Sequence, residues 1–167
     1  MNMIRPRMAL NAMLATIDEA CRTPLEGREQ RVAAAIAAHV DDPELLADVA
    51  CPECPDHYIR HLLHDGGDYG VVALVWRPGQ MSPIHAHKSW CAFGVHRGIM
   101  TEHYYAPGDT PALTAAHLRF PGDVSHGPAC DDLIHRLANC CSETAISIHV
   151  YGLPFERFSK DLNLILA

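Results

Sequence analysis

Residues 82–98, SPIHAHKSWCAFGVHRG, combine two histidines and a cysteine in an alternating pattern. His85 and His87 are separated by one residue, and Cys91 follows four positions after the second histidine. Residues two apart in a β-strand point to the same face, so we predict that both imidazole rings lie side by side. Imidazole is a ligand for iron, zinc, copper and nickel alike, so this pair indicates a metal site without naming the metal.

Short apolar or alternating segments continue on both sides of this stretch. Turn signals such as GG, PG and APGDTP separate them, and no helix-length segment lies between them. This pattern favours an all-β sandwich or barrel over a parallel α/β fold. The segments are HYIRHLLH (57–64), YGVVALVW (69–76), IMTEHYY (99–105), ALTAAHLRF (112–120), LIHRLAN (133–139) and AISIHVYG (145–152).

The first fifty residues are different and are predicted to be helical. MALNAMLATIDEA has apolar residues at helical spacing, and GREQRVAAAIAAHV is rich in alanine and other good helix formers. DDPELLADVA opens with an Asp cap and places Pro43 in a first helical turn. The CPECP motif then ends the helical region, because two prolines in five residues cannot continue a helix.

We therefore predict a single domain with two parts. Residues 1–50 form a helical segment that packs on a small β-barrel, and residues 51–167 form the barrel itself. Cys51 and Cys54 form a CxxC pair between the two parts, but no second pair follows, so we interpret them as structural or incidental thiols.

Composition narrows the function classes. The chain has 167 residues, of which 49% are hydrophobic, and this is enough for one domain with a core. A formal net charge of −7 disfavours nucleic acid and anionic membranes as partners. Seven cysteines, an odd number, are typical of the reducing cytoplasm rather than of a secreted disulfide framework. The oligomeric state stays open between a monomer and a small homo-oligomer.

The spacing Gly79-x5-His85-x-His87-x3-Cys91-x6-Gly98 resembles the first motif of the cupin superfamily. A later fragment, His135-Arg-Leu-Ala-Asn, resembles the region of the superfamily's third histidine ligand. The resemblance implies a double-stranded β-helix, a small barrel whose closure brings His135 to the other two histidines.

The cupin motif normally has a metal-binding glutamate where this chain has Cys91. Three neutral imidazoles leave the full charge of a divalent ion on the site, whereas a carboxylate ligand would reduce it. A more positive ion binds an anionic thiolate more readily, so this departure favours a thiol substrate.

The segment from Tyr58 to Phe155 resembles the cysteine dioxygenase type I family, a group of thiol dioxygenases within the cupins. The resemblance rests on HYIR, HAHKSWC, IHRLAN and SIHVYG, which occur in that order. It implies an Fe(II) enzyme that uses O2 to oxidise a small carboxylated thiol, with L-cysteine favoured, to its sulfinic acid.

The resemblance also implies residue roles. His85, His87 and His135 correspond to the metal ligands. Arg60, with Tyr58 beside it, corresponds to the residue that binds the substrate carboxylate. Ser147, His149 and Tyr151 correspond to a relay that orients the tyrosine, and Cys91 lies where eukaryotic members carry a cysteine thioether-linked to that tyrosine.

Alternatives remain open at the level of sequence. The short spacing and tryptophan of HAHKSWC are features of bacterial relatives, some of which prefer 3-mercaptopropionate or other mercapto acids. In such relatives a later arginine holds the carboxylate, and Arg157 is a candidate for that role. A further alternative is a metal cupin that is not an oxygenase, either an isomerase or a small-molecule binding or sensor protein.

Overall fold

The computed structural model describes residues 7–167, so the first six residues of the predicted helical segment lie outside the described part of the chain. Within residues 7–167, three helices and a 3-10 turn (Phe155–Arg157) accompany ten strands. The helices are α1 (Met8–Cys21), α2 (Arg28–Ala37) and α3 (Phe158–Asp161). The strands are β1 (Ile59–Asp65), β2 (Gly70–Trp76), β3 (His85–His87), β4 (Cys91–Arg97), β5 (Met100–Ala106), β6 (Ala112–Arg119), β7 (Val124–Gly127), β8 (Cys130–Ala138), β9 (Ala145–Tyr151) and β10 (Asn163–Ile165).

The strands form two five-stranded antiparallel sheets. One has the order β1-β2-β9-β4-β7 and the other the order β10-β3-β8-β5-β6. Side chains from both sheets meet in one interior cluster, which includes Trp76 and Phe93 from the first sheet and Met100 and Leu137 from the second. This arrangement is a double-stranded β-helix, and it confirms the predicted mostly-β barrel with helices at its N-terminal side.

Strands β2 and β9 of the first sheet are buried on both faces. Odd-numbered residues of β2 and even-numbered residues of β9 pack in a cluster with α1 and α2, whereas their neighbours face the barrel interior. A strand covered on both sides becomes apolar throughout, which explains the uninterrupted GVVALVW. The helix-facing set comprises Val71, Ala73, Val75, Ile146, Ile148 and Val150.

Helix α2 lies against β4 and β7 at very close range. A Cβ atom added to Gly94 would lie 2.6 Å from Cγ2 of Ile36 and 3.2 Å from Cγ2 of Val40. His96 Nδ1 lies 2.7 Å from the Val40 carbonyl oxygen, so the strand also hydrogen-bonds to the segment after α2. Gly94 is therefore the residue that permits this helix–sheet contact.

The predicted third helix, DDPELLADVA, is wrong: this segment is a series of turns. Leu45 and Val49 donate their backbone N–H groups to carbonyls three residues back instead of four. The Asp42 carboxylate accepts from the Glu44 N–H at 2.8 Å, so the acidic residue caps a turn and not a helix.

Two short strands, β7 and β10, were not predicted from the sequence. Each has three or four residues, too few for an alternating pattern. None of the described helices is long and apolar enough to span a membrane.

Candidate metal centre and adjoining pocket

The barrel brings three histidines together. His85 and His87 lie on β3, and His135 lies directly opposite His85 on the neighbouring strand β8. All three are buried, and one ring nitrogen from each lies within 4.8 Å of the other two. These are the three positions that the sequence predicted as metal ligands.

Hydrogen bonds at the far side of two rings direct their other nitrogens toward the centre. His85 Nδ1 lies 2.9 Å from the Pro83 carbonyl oxygen, and His135 Nδ1 lies 3.0 Å from Glu102 Oε1. Both partners only accept hydrogen bonds, so each Nδ1 carries the hydrogen and each Nε2 keeps its lone pair. His87 lies opposite Asn163 of β10, and its Nδ1 atom is buried without a hydrogen-bond partner.

The geometry of the three rings fits a metal ion. Nε2 of His87 lies 3.0 Å from Nε2 of His135. Metal–nitrogen bonds of about 2.1 Å at right angles place two ligand nitrogens about 3 Å apart. Two lone pairs this close repel each other in a buried site, and a cation between them removes the repulsion.

Burial also keeps the imidazoles of His85 and His87 neutral. Burial, followed by the nearby His135, lowers the pKa of His85 to about 4. The same two causes hold the pKa of His87 well below its usual value. A neutral imidazole has the free lone pair that a metal ligand needs.

A small cavity adjoins the three histidines on one side. Arg60 and Tyr58 line it from β1 and the residue before it, and Tyr151 lines it from β9. Tyr58 stacks on Trp76 with ring centroids 4.2 Å apart. Other lining residues are Leu74, Ser82, Cys91, Ala92, Phe93, Leu137, His149 and Asn163.

Arg60 is a half-buried cation without an anion among residues 7–167. Its Nε is buried and has no hydrogen-bond partner, and among residues 7–167 no carboxylate lies within ion-pair distance of its guanidinium. The guanidinium carbon lies 6.0 Å from the Phe158 ring centroid, so an aromatic face covers one side. A cation in this setting calls for an anionic ligand.

The three relay residues form a continuous hydrogen-bonded chain. Ser147 Oγ lies 2.7 Å from His149 Nε2, and His149 Nδ1 lies 3.0 Å from the Tyr151 hydroxyl. Trp76 Nε1 donates to Ser147 Oγ at 2.9 Å. Trp76 was not predicted from the sequence, because a tryptophan at the end of an apolar strand is indistinguishable from core packing.

The tryptophan sets the direction of the chain. An indole N–H can only donate, so Ser147 Oγ accepts from Trp76 and has its own hydroxyl hydrogen available for His149 Nε2. His149 then carries its hydrogen on Nδ1 and donates to the Tyr151 oxygen. Burial holds the pKa of His149 well below its usual value and raises the pKa of Tyr151, so both side chains are neutral. In this tautomer of His149 the phenolic hydrogen is free to point into the pocket.

Cys91 lies directly opposite Tyr151 in the antiparallel pair of β4 and β9. Both side chains are buried in the interior cluster. Burial raises the pKa of Cys91 to about 12, so the thiol is protonated. The two residues that the resemblance links by a thioether are thus cross-strand neighbours.

Glu102 on β5 was not predicted from the sequence either. It is 1% exposed, yet it is a carboxylate in the barrel interior. Burial by itself would raise its pKa, but hydrogen bonds from His135 and Tyr104 and the charge of Arg119 lower the pKa below its usual value. The alternation of Met100, Glu102 and Tyr104 could have revealed it, because a charged residue that shares a strand face with a core methionine must have partners.

Two other candidates lie away from the centre. Arg157 is exposed and forms an ion pair with Asp161 at 2.8 Å. Cys51 and Cys54 are free thiols, and neither belongs to a metal-binding cluster within the described chain.

Solved structures of low sequence identity share the fold. A protein with a double-stranded β-helix domain from Klebsiella pneumoniae is 20% identical, with a TM-score of 0.51 over 62% of this chain and 84% of that chain. A Thermus thermophilus protein is 18% identical, with a TM-score of 0.51 over 65% of this chain and 93% of that chain. A cupin superfamily protein from Desulfitobacterium hafniense is 12% identical, with a TM-score of 0.51 over 65% and 87%.

The family comparison is more specific than the fold. The family model described as cysteine dioxygenase type I matches residues 13–160, which include every residue of the three-histidine centre and of the relay. Asn163 and the rest of β10 lie beyond the matched span. The chain therefore belongs to the cysteine dioxygenase type I family of non-haem iron thiol dioxygenases.

Proposed function

We propose that this protein is an Fe(II)-dependent dioxygenase that converts L-cysteine and O2 to cysteine sulfinic acid. The observation that carries the proposal is the position of Arg60. Its guanidinium has no anionic partner among the described residues, and it lines the same small cavity as the three histidines and Tyr151. A small thiol with a carboxylate can place its two functional groups at these two ends of the cavity.

Iron is the proposed metal, and His85, His87 and His135 are its proposed ligands. The neutral imidazoles of His85 and His87 and the spacing of the three ring nitrogens support a divalent ion, and the family supports iron. When bound, the iron supplies the electron transfer from sulfur to dioxygen that inserts both oxygen atoms. A reducing, cytoplasmic location is also part of the proposal, and it is supported by the seven cysteines, which are all free.

The protein's own side chains orient the substrate. Arg60 binds the carboxylate through parallel hydrogen bonds from its planar guanidinium. Tyr58, held against Trp76, forms an adjacent part of the wall. Tyr151 donates its phenolic hydrogen to the reacting groups, and His149, Ser147 and Trp76 hold the phenol in that direction.

The alternative substrate is 3-mercaptopropionate or another mercapto acid. The arginine considered for that role, Arg157, is exposed and paired with Asp161. This position favours Arg60 as the carboxylate-binding residue and hence the L-cysteine assignment.

Oxygen uptake by the Fe(II)-loaded protein tests the proposal. We expect consumption of O2 with L-cysteine, formation of the sulfinic acid, and lower turnover with 3-mercaptopropionate, mercaptosuccinate and cysteamine. Faster turnover of 3-mercaptopropionate would reassign the substrate. No thiol-dependent uptake with any of the four would instead favour an isomerase or a sensor protein.

Arg60→Gln tests the role of the guanidinium. We expect the KM for carboxylated thiols to rise about 10- to 100-fold, the loss expected for hydrogen bonds between charged groups. Arg157→Gln is the matched control and should leave KM unchanged. An unchanged KM in Arg60→Gln together with a raised KM in Arg157→Gln would show that Arg157, and not Arg60, binds the substrate carboxylate.

A further inference from the structure

We propose that Glu102 is a positioning residue for the metal centre, which holds the His135 ring in place and supplies negative charge behind it, and that Arg119 limits that charge. The inference rests on the proposed metal-binding function of the three histidines. Neither residue was assigned a role by the sequence or by the family comparison.

Glu102 has a full set of hydrogen-bond donors around it. Oε1 accepts from His135 Nδ1 at 3.0 Å and from Ser125 Oγ at 3.2 Å. Oε2 accepts from Arg119 through Nε at 2.9 Å and Nη2 at 2.8 Å. With these partners on both oxygens, the carboxylate is rigid, and the imidazole that it contacts is rigid with it.

The contact also has an electrical consequence. A carboxylate that accepts the Nδ1 hydrogen of an imidazole makes the opposite nitrogen more basic and a stronger metal ligand. The metal itself would have only neutral ligands, since Cys91 stands where the cupin motif has a glutamate and its thiol is buried. Glu102 therefore supplies a negative charge that acts on the metal site indirectly, through its hydrogen bond with His135.

Arg119 opposes this effect. Its guanidinium donates to Oε2 of Glu102 and, at 3.1 Å, to the Tyr104 hydroxyl. These two contacts hold the Arg119 side chain in place. The cation draws electron density away from the carboxylate that His135 contacts. Removing Glu102 and removing Arg119 should thus change the metal affinity in opposite directions, although both changes break the same ion pair.

The test measures metal affinity of full-length variants by competition with a chromophoric chelator for Co2+ and Zn2+. We expect Glu102→Gln to weaken binding about 10- to 100-fold, the effect typical of losing a partner of a metal-ligating histidine. Arg119→Met should strengthen binding, measured at about pH 8, where a glutamate carboxyl is ionised. The visible absorption of bound Co2+ should shift in both variants.

Ser125→Ala is the structural control, because it removes one hydrogen bond to Glu102 without changing the charge. Thermal unfolding of the metal-free proteins measures how much each substitution destabilises the fold. If Glu102 and Arg119 had only a structural role, Glu102→Gln and Arg119→Met would both lose metal affinity in parallel with thermal stability. That result would overturn the proposal. Unchanged affinity in Glu102→Gln would overturn it as well.

The proposal and the proposed function fail in different ways. If the unmodified protein binds neither Co2+ nor Zn2+, the metal site itself is wrong. If it binds them and Glu102→Gln binds them equally well, only the role of Glu102 is wrong.

Discussion

Tyr151 illustrates how single residues define this pocket. Trp76 donates to Ser147, and when His149 carries its hydrogen on Nδ1 the hydrogen bonds run on to the Tyr151 oxygen and leave the phenolic hydrogen free. In this series of hydrogen bonds, Ser147 contacts neither the phenol nor the metal ligands directly, so it acts through His149. Its contribution to catalysis should therefore depend on the tyrosine.

A double-mutant cycle tests this dependence. We expect Tyr151→Phe to lower kcat about 10- to 100-fold, the loss of one strong hydrogen bond to reacting groups. Ser147→Ala should lower kcat by less in the unmodified protein and by nothing in the Tyr151→Phe background. Equal effects in the two backgrounds, measured by oxygen uptake, would show that Ser147 acts independently of the phenol.

Cys91 and Tyr151 lead to a second prediction at this scale. Because they are opposed across β4 and β9, we expect a thioether between Sγ and the phenol ring to form during turnover, in place of the S–H and one ring C–H bond. The O2 of the proposed reaction is the oxidant and takes up the two hydrogen atoms. Peptide mapping should then find one linked peptide that lacks two hydrogen atoms. Cys91→Ala is the control and should yield only the unlinked tyrosine peptide. Separate peptides after extended turnover of the unmodified protein would contradict the prediction.

At the level of elements, one face of the sheet β1-β2-β9-β4-β7 packs against the helices and the other lines the barrel interior. On β9 the even-numbered residues support the helices and the odd-numbered residues form the relay. Alternation alone indicates that Ser147, His149 and Tyr151 share a face. It does not reveal that the helices occupy the other face and leave the relay inside the barrel.

The contact between α2 and β4 gives a prediction for stability. Gly94→Ala places a methyl group within 2.6 Å of Ile36 Cγ2, and the helix must move to accommodate it. We expect the free energy of unfolding to fall by about 1–3 kcal/mol, as for other overpacked contacts. Chemical denaturation measures the change.

Gly108→Ala is the matched control. Its added Cβ would meet only the Thr110 carbonyl oxygen, at 3.7 Å. We expect a change within about 0.5 kcal/mol, the range of ordinary surface substitutions. Equal destabilisation by the two substitutions would mean that the helix contact is not responsible.

At the level of the whole molecule, the helical segment covers one face of the first sheet. Met13, Ile17, Val32 and Ile36 are fully buried. They pack in one cluster with the outward-facing residues of β2 and β9. Without them the opposite face of the relay strand would be exposed to water.

Deletion of residues 1–50 tests the proposed organisation of the chain. We expect insoluble or inactive protein, because large exposed apolar patches lead to aggregation. Expression in soluble form and oxygen uptake measure the result. A soluble truncation with full activity would show that the barrel does not need the segment.

Local periodicity determined much of this protein. The spacing of two in HAH and in SIHVY puts each set of side chains on one strand face, because successive residues of a strand alternate. The same kind of reasoning correctly indicated short strands and two N-terminal helices. It failed for DDPELLADVA, where Asp42 bonds to a backbone N–H two residues on and competes with helix formation.

The tertiary structure alone decided which faces meet. His135 reaches the pair on β3 through the register of β8, and Trp76 reaches Ser147 across 71 positions of the chain. Glu102 stands behind His135 although 33 positions separate them. Contacts of this kind depend on strand order, register and barrel closure, which arise from the packing of the whole core and leave no periodic trace in the sequence.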